Sequence, residues 1–288
     1  MTANWIPGYT TSGLAHHRLE DALRLMHRAG FRATVITPDA AHLDPGSTHF
    51  AEDVAQTRAL LDELGLSCIV ETGSRFLLDP AKKHFPTLLD APDLSRRRVR
   101  FLRVAMDLAR RLGARTVSLW SGALPPDVDK DAAWTRLRET LLPLLDEAGQ
   151  LGIELAFEPE PGMFVETVGE WHQLRERCGR HEALKLALDC GHVLATGEGE
   201  PADVIRREHA HCAWIAIEDM RRGVHEHLPF GSGAVDLASV VRALDETSYS
   251  GIVAVELPRD AHRGAAMLNA SREALVAAGA REVFGPVA

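Results

Sequence analysis

Eight short apolar runs separated by amphipathic helical stretches constrain the fold of this chain more than any other feature. The runs are Trp5–Tyr9, Ala33–Thr37, Ser67–Glu71, Thr116–Trp120, Glu154–Glu158, Lys185–Asp189, Trp214–Glu218 and Ile252–Glu256. Most are continuously apolar rather than alternating, as in parallel strands covered on both faces. Helical stretches at Leu19–Met26, Asp53–Leu64, Arg98–Leu112, Trp134–Leu151 and Asp236–Thr247 lead to Gly30, Gly65, Gly113, Gly152 and Gly251. A glycine between helix and strand predicts a left-handed stop. The unit recurs about every 35 residues, which over 288 residues predicts a single-domain (β/α)8 TIM barrel spanning 1–288. An open doubly wound sheet is the alternative, weakened because no Gly-x-Gly-x-x-Gly follows the first run. The longest irregular stretch, 72–94, contains Pro80, Pro86 and Pro92. In a barrel it is placed over the strand C-termini, where active sites are built.

Composition narrows the function classes. Hydrophobic residues make up 45% and charged residues 25%, enough apolar surface for a core. The net charge of −9 argues against a nucleic-acid partner, which needs basic surface. No apolar run is long enough for a membrane span. The opening residues show no basic segment followed by an apolar block, so a cytoplasmic location is expected. Cys68, Cys178, Cys190 and Cys212 form no Cys-x-x-Cys pair and are expected to be reduced thiols.

The chemistry concentrates at the strand ends. Glu71, Glu158, Asp189, Glu218 and Glu256 each close an apolar run, and in a barrel these ends converge on one mouth. Several carboxylates so placed repel one another unless protons or a cation compensate, and a divalent metal is the simplest compensation. A single acid at a strand end is usually a helix cap; five at five ends point to a shared site. His192 follows Asp189 by three residues, and His225 and His227 flank Glu226 after the seventh run. His16, His17 and His42 are secondary candidates for the mouth. His27, His172, His181, His209 and His211 fall on helices or strand starts.

Other chemistries fare less well. A Schiff-base barrel needs a lysine at a strand's C-terminal end, but Lys185 opens its strand and Lys82 and Lys83 lie in the long loop. No Gly-x-Ser-x-Gly elbow is present. Gly231-Ser232-Gly233 is the one candidate phosphate cradle.

Four segments together resemble the xylose isomerase-like TIM-barrel superfamily of sugar and cyclitol isomerases, epimerases and endonuclease IV-type enzymes. They are Phe157-Glu158-Pro159-Glu160-Pro161-Gly162, Asp189-Cys190-Gly191-His192, Ile217 to Gly233, and Val255-Glu256. The stretch Glu71–Pro80 is similar to that of a sugar phosphate isomerase/epimerase branch. The resemblance implies a divalent metal (zinc, manganese or magnesium) held by Glu158, Asp189 and Glu256. The family's strand-7 histidine falls on Ala216, so its place would be taken by Glu218, two residues on and on the same strand face, or by water or a substrate hydroxyl. A further metal site, as in endonuclease IV, would use His192, His225 and His227, a set that suits zinc. The third metal of that group finds no ligands at Thr72 and Trp120.

The resemblance then implies carbohydrate chemistry: metal-assisted proton transfer next to a carbonyl on a sugar, sugar phosphate or cyclitol, with Glu158 and Glu256 as the bases. His192, Trp120 and Phe230 are expected to contact the small polyhydroxylated substrate, and Arg75, Lys82 and Lys83 an anionic group on it. The alternatives are a metal-dependent hydrolase or lyase at the same mouth and a catalytically inactive ligand-binding barrel. A homo-oligomer is compatible with such a barrel.

Overall fold

A computed structural model describes residues 4–285. Eight parallel strands close into one barrel in chain order, the first hydrogen-bonded to both the second and the eighth. They are β1 (Ile6–Thr10), β2 (Ala33–Ile36), β3 (Ser67–Glu71), β4 (Thr116–Leu119), β5 (Glu154–Phe157), β6 (Leu184–Asp189), β7 (Cys212–Ile217) and β8 (Ile252–Val255). Around them lie α1 (Leu19–Arg28), α2 (Phe50–Leu64), α3 (Pro92–Leu112), α4 (Lys130–Leu151) and α5 (Val168–Arg177). The ring is completed by α6 (Cys190–Thr196), α7 (Pro201–Glu208), α8 (Leu237–Glu246) and α9 (Gly264–Ala277). This is the expected single-domain (β/α)8 barrel. Among the described residues no helix is long and apolar enough to cross a membrane.

The glycine stops fall largely where the sequence places them. Gly65, Gly113 and Gly152 take φ of 64°, 74° and 68°. Gly251 does not. Ser248 carries the left-handed turn after α8, at φ 52°, and Gly251 instead leaves room for the Tyr249 ring. Helix α3 starts earlier than Arg98, because Pro92 is well suited to a first helical position.

Strand alternation sorts the barrel into two sets. Leu155, Phe157, Leu188, Ile215, Ile217, Val253 and Val255 face outward into the layer beneath the helices. Ala33, Val35, Ile69, Ala156, Ala187, Trp214, Ala216, Ile252 and Ala254 form a separate cluster inside. The inner set is mostly small because one indole fills the space; Trp214 donates from Nε1 to Ser118 Oγ at 3.2 Å. Adding two to the inward residues Ile69, Ala156, Ala187, Ala216 and Ala254 gives Glu71, Glu158, Asp189, Glu218 and Glu256. The pleat that packs the barrel therefore aims all five acids at the mouth.

The segment 72–91 before α3 is held by one buried cation. Arg98 donates from Nε to the Pro86 carbonyl (2.9 Å), from Nη1 to Thr72 (3.0 Å) and from Nη2 to His84 (3.0 Å). Burial lowers its pKa to about 10, leaving it charged at neutral pH. Arg98→Met is expected to leave these carbonyls unsatisfied and cost about 3 kcal/mol. Denaturant unfolding reads the loss, and new protease cleavage within 72–91 locates it.

Candidate metal centre and active site

The strand ends enclose a cavity of about 200 Å³ at the mouth, below the ~300–1,000 Å³ of drug-sized pockets and suited to a small ligand. Glu71, Glu158, Glu160, Glu256, His192, His225 and His227 line its acidic and imidazole side. Arg75, Lys83, His84 and Trp120 come from loops after β3 and β4, and Pro258 and Arg259 from the loop after β8. Asp189 and Glu218 lie just beneath, 2% and 0% exposed.

His192 is held in one tautomer. It sits in the first turn of α6, which begins where β6 ends, with Asp189 as N-cap. Its main-chain N–H donates to Asp189 Oδ1 at 2.9 Å, and its Nδ1–H to the Pro159 carbonyl at 3.1 Å. That bond leaves Nε2 as a bare lone pair, the usual arrangement of a metal-ligating histidine. Nε2 lies 3.1 Å from His225 Nε2 and 3.6 Å from Asp189 Oδ2. His227 Nδ1 lies 3.7 Å from Glu218 Oε1. Gly191 has no side chain because Glu218 and Met220 fill that space.

Three sets of side chains here could each hold an ion: Glu158, Asp189 and His192; Asp189, Glu218 and His227; and His192, His225 and His227. The polar atoms left over fit that role. Asp189 Oδ2, both oxygens of Glu218 and Nδ1 of His227 are buried without a hydrogen-bond partner. Orphaned groups of this kind cost of order 1–3 kcal/mol each unless something satisfies them.

The charges agree. Burial, then Glu256, pushes the Glu158 carboxyl well above its usual range. Burial, then Asp189, does the same for Glu218 and Glu256. Burial also opposes ionisation of Asp189, but the His192 and His227 rings when they carry a proton, and the His192 main-chain N–H at Oδ1, hold that carboxyl below its usual value. His225 and His227 are pushed down by burial to about 4 and about 3, so at neutral pH they are neutral rings with lone pairs to give. Proton-hungry carboxylates beside neutral imidazoles are the donor set a divalent cation satisfies.

Residues 23–281 match the family described as xylose isomerase-like TIM barrel. The chain belongs to that family. Solved relatives share the fold across nearly its whole length. An L-ribulose 3-epimerase superposes with a TM-score of 0.77 at 17% identity, covering 96% of this chain and 95% of its own. The IOLI protein with a bound zinc atom superposes at 0.76 and 15% identity, covering 98% and 100%. By sequence, an L-ribulose-5-phosphate 3-epimerase of Salmonella typhi is 23% identical over 67% of this chain and 68% of its own length. An inosose dehydratase of Lacticaseibacillus casei is 26% identical over 45% of this chain, which spans about half the length of that relative.

The residues picked from sequence divide into three groups. Glu158, Asp189, Glu218, His192, His225 and His227 come together in the ligand sets above. Glu256, Trp120 and Arg75 line the same cavity, Glu256 belonging to none of those sets. Lys82 and Phe230 do not reach it. Lys82 turns over the Phe85 ring, 3.8 Å from its centroid, and its neighbour Lys83 lines the cavity instead. Phe230 packs against the outer apolar layer. His42 lines the cavity, its Nε2 2.8 Å from the His17 carbonyl, while His16 and His17 are not among the lining residues.

Gly231-Ser232-Gly233 is not a free phosphate cradle. The amides of Gly231 and Gly233 both donate to Asp219 Oδ2 at 2.8 Å. Sequence reasoning passed over Glu160, Asp39 and Arg259, all at the cavity wall. Glu160 was legible, since in Glu158-Pro159-Glu160 it repeats the strand-end acid one pleat later. Arg259 carried no such signal.

Proposed function

We propose that the protein is a divalent-metal-dependent isomerase or epimerase acting on a small polyhydroxylated substrate by proton transfer next to a carbonyl. The observation that carries this reading is a carboxylate, Glu256, that faces the cavity beside the ligand sets without belonging to them. Glu158, Asp189 and His192, with Glu218 and His227 adjoining, would hold the cation, which when bound would supply Lewis-acid polarisation of carbonyl and hydroxyl oxygens. Glu256, at the end of β8, removes the proton from the carbon next to the carbonyl, its raised pKa bringing it nearer the working pH. Glu158 enters from β5 across the barrel and returns a proton on the other face. Two bases on two faces give epimerisation; Glu256 alone gives aldose–ketose isomerisation. Trp120, with the His84 ring edge-on at 5.6 Å, walls the cavity against water. Arg75 and Lys83 are placed for an anionic substituent. The epimerases among the relatives support this substrate class.

The test pairs elemental analysis with proton exchange. About one divalent ion per chain, and solvent deuterium entering a ketose or cyclitol next to its carbonyl, is the expected result. A metal-loaded protein that exchanges no carbon-bound proton on any such compound would overturn it.

The three-histidine set favours a second reading, a metal-dependent hydrolase or lyase, which the inosose dehydratase relative also suits. His227→Ala separates the two. It should abolish activity under the second reading and only weaken metal binding under the first.

Stability should depend on pH through the same groups. Carboxyls with raised folded pKa values contribute stability fully present below their ordinary 4.5 and lost as pH rises through the raised values. His225 and His227, depressed from 6.5, contribute stability present above 6.5 and lost as pH falls through about 4 and 3. Above 6.5 only the carboxyl contribution still changes. In the window above pH 6.5 the metal-free protein should therefore lose melting temperature while the zinc-loaded protein does not. A constant gap between the two across that window would count against a metal at these carboxylates.

A further inference from the structure

We infer that Asp219 is a positioning residue: its buried carboxylate fills an anion-binding turn made by its own chain and so fixes the loop that presents His225 and His227. The inference rests on the metal-centre reading above.

Asp219 follows Glu218 at the end of β7 and is 2% exposed. Its Oδ2 accepts the amides of Gly231 and Gly233 at 2.8 Å, and its Oδ1 those of Met220 and Val235 at 2.9 Å. Four main-chain N–H groups converging on one anion is the geometry that elsewhere binds a phosphate. Here the anion is covalently part of the chain. Gly231 takes φ 87°, and a side chain at Gly233 would collide with Asp219 and the Met220 main chain, so both glycines serve this turn.

The same residue also grips the middle of the loop. Its main-chain N–H donates to the Leu228 carbonyl at 2.9 Å, and the Leu228 N–H returns a bond at 2.8 Å. His225 and His227 stand just before Leu228. Their rings meet mainly one another, His192 and acids, and His227 Nδ1 has no hydrogen-bond partner. Their placement therefore comes from the main chain, which is fixed at Asp219 and again from Gly231 to Val235, with one further bond from Arg259 to the His225 carbonyl at 3.2 Å. Without the carboxylate, four main-chain amides, that of Met220 buried, lose their shared acceptor and the span from 220 to 235 loses its shape.

The test uses the full chain and two readouts. Zinc affinity is measured by competition with a chelating dye, and hydrogen exchange over residues 219–235 is followed in the metal-free protein. Asp219→Ala should weaken zinc binding tenfold or more and speed exchange within this loop while the barrel strands stay protected. Added acetate should restore part of that protection in the variant and none in the wild type, because it refills the vacated turn. Asp219→Asn, which keeps one acceptor oxygen, should fall between. A merely structural role predicts a lower melting temperature with unchanged zinc affinity of the folded protein, and that outcome overturns the inference. Unchanged loop exchange overturns it as well. A wild type that takes up no zinc defeats the metal-centre reading instead, and the exchange measurement then decides on its own whether Asp219 holds the loop. If Asp219→Ala does not fold, Gly233→Ala decides: it keeps the carboxylate but displaces one donor, and should lower zinc affinity in the same direction.

Discussion

Glu256→Gln is expected to lower turnover on whatever substrate the protein accepts by about 10²–10⁴-fold, the usual worth of a positioned general base. That corresponds to about 3–5 kcal/mol of transition-state stabilisation. Metal content and folding should be unchanged. Glutamine keeps the shape of the side chain and its hydrogen-bonding capacity but cannot accept a proton from carbon. The expectation depends on a division of labour that the geometry draws. Glu158 shares a ligand set with Asp189 and His192, whereas Glu256 lines the same cavity outside every such set. The exchange of substrate hydrogen for solvent deuterium is the decisive readout, because it reports the proton step even where product release limits turnover. Loss of exchange with metal retained assigns Glu256 as the base. Loss of metal in Glu256→Gln would make it a ligand and leave the base to be sought at Glu158 or Glu160. The metal-free variant should also be at least as stable as the metal-free wild type above pH 6.5, since one of the mutually repelling buried carboxylates is gone.

The strands were legible because a parallel barrel buries both faces and so writes continuous apolar runs. The acids at their ends were legible because nothing in a structural barrel calls for charge there. Short helices were harder. The run Cys190-Gly191-His192-Val193-Leu194 forms α6, yet it is apolar and follows β6 without a break, so no periodicity distinguishes it from more strand. Its helical start is set by Asp189, which ends the strand and caps the helix at once. Lys82 and Lys83 show a different limit. In an irregular loop no pleat decides which of two adjacent lysines faces the cavity, and the Phe85 ring drew Lys82 away. Gly231-Ser232-Gly233 is a candidate phosphate cradle by its place in a late loop before a helix, and its amides do bind an anion. That the anion is Asp219, twelve residues from Gly231, depends on a tertiary turn that local sequence does not announce. The replacement of the family's strand-7 histidine by Ala216 was visible, and alternation placed Glu218 on the same face. The structure sets Ala216 level with Asp189 and Ala254 in the inner layer, with the Glu218 carboxylate one pleat above.

Asp189 offers the largest expected loss of metal, and its two oxygens allow that loss to be separated from folding. Oδ1 accepts the His192 amide and caps α6, while Oδ2 is buried without a hydrogen-bond partner, and Asp189 belongs to two of the three sets. Asparagine is as good a helix cap as aspartate, so Asp189→Asn keeps the first function. It replaces the second with an uncharged amide that does not ligate a divalent ion as a carboxylate does. Metal affinity should fall by at least about 100-fold, more than the 10–100-fold typical of removing a group that only supports a ligand. Asp189→Ala should lose the metal equally and, in addition, about 1 kcal/mol of cap stability. The metal-free Asp189→Asn protein should nevertheless be no less stable than metal-free wild type, because Glu218 and Glu256 both feel the Asp189 charge and are relieved of it. Plasma mass spectrometry on gently purified protein, together with melting curves in chelator, separates the two contributions. Should Asp189→Asn retain a full equivalent of metal, the ion sits on His192, His225 and His227 instead. Hydrolytic or lyase chemistry would then displace proton transfer as the leading account of this mouth.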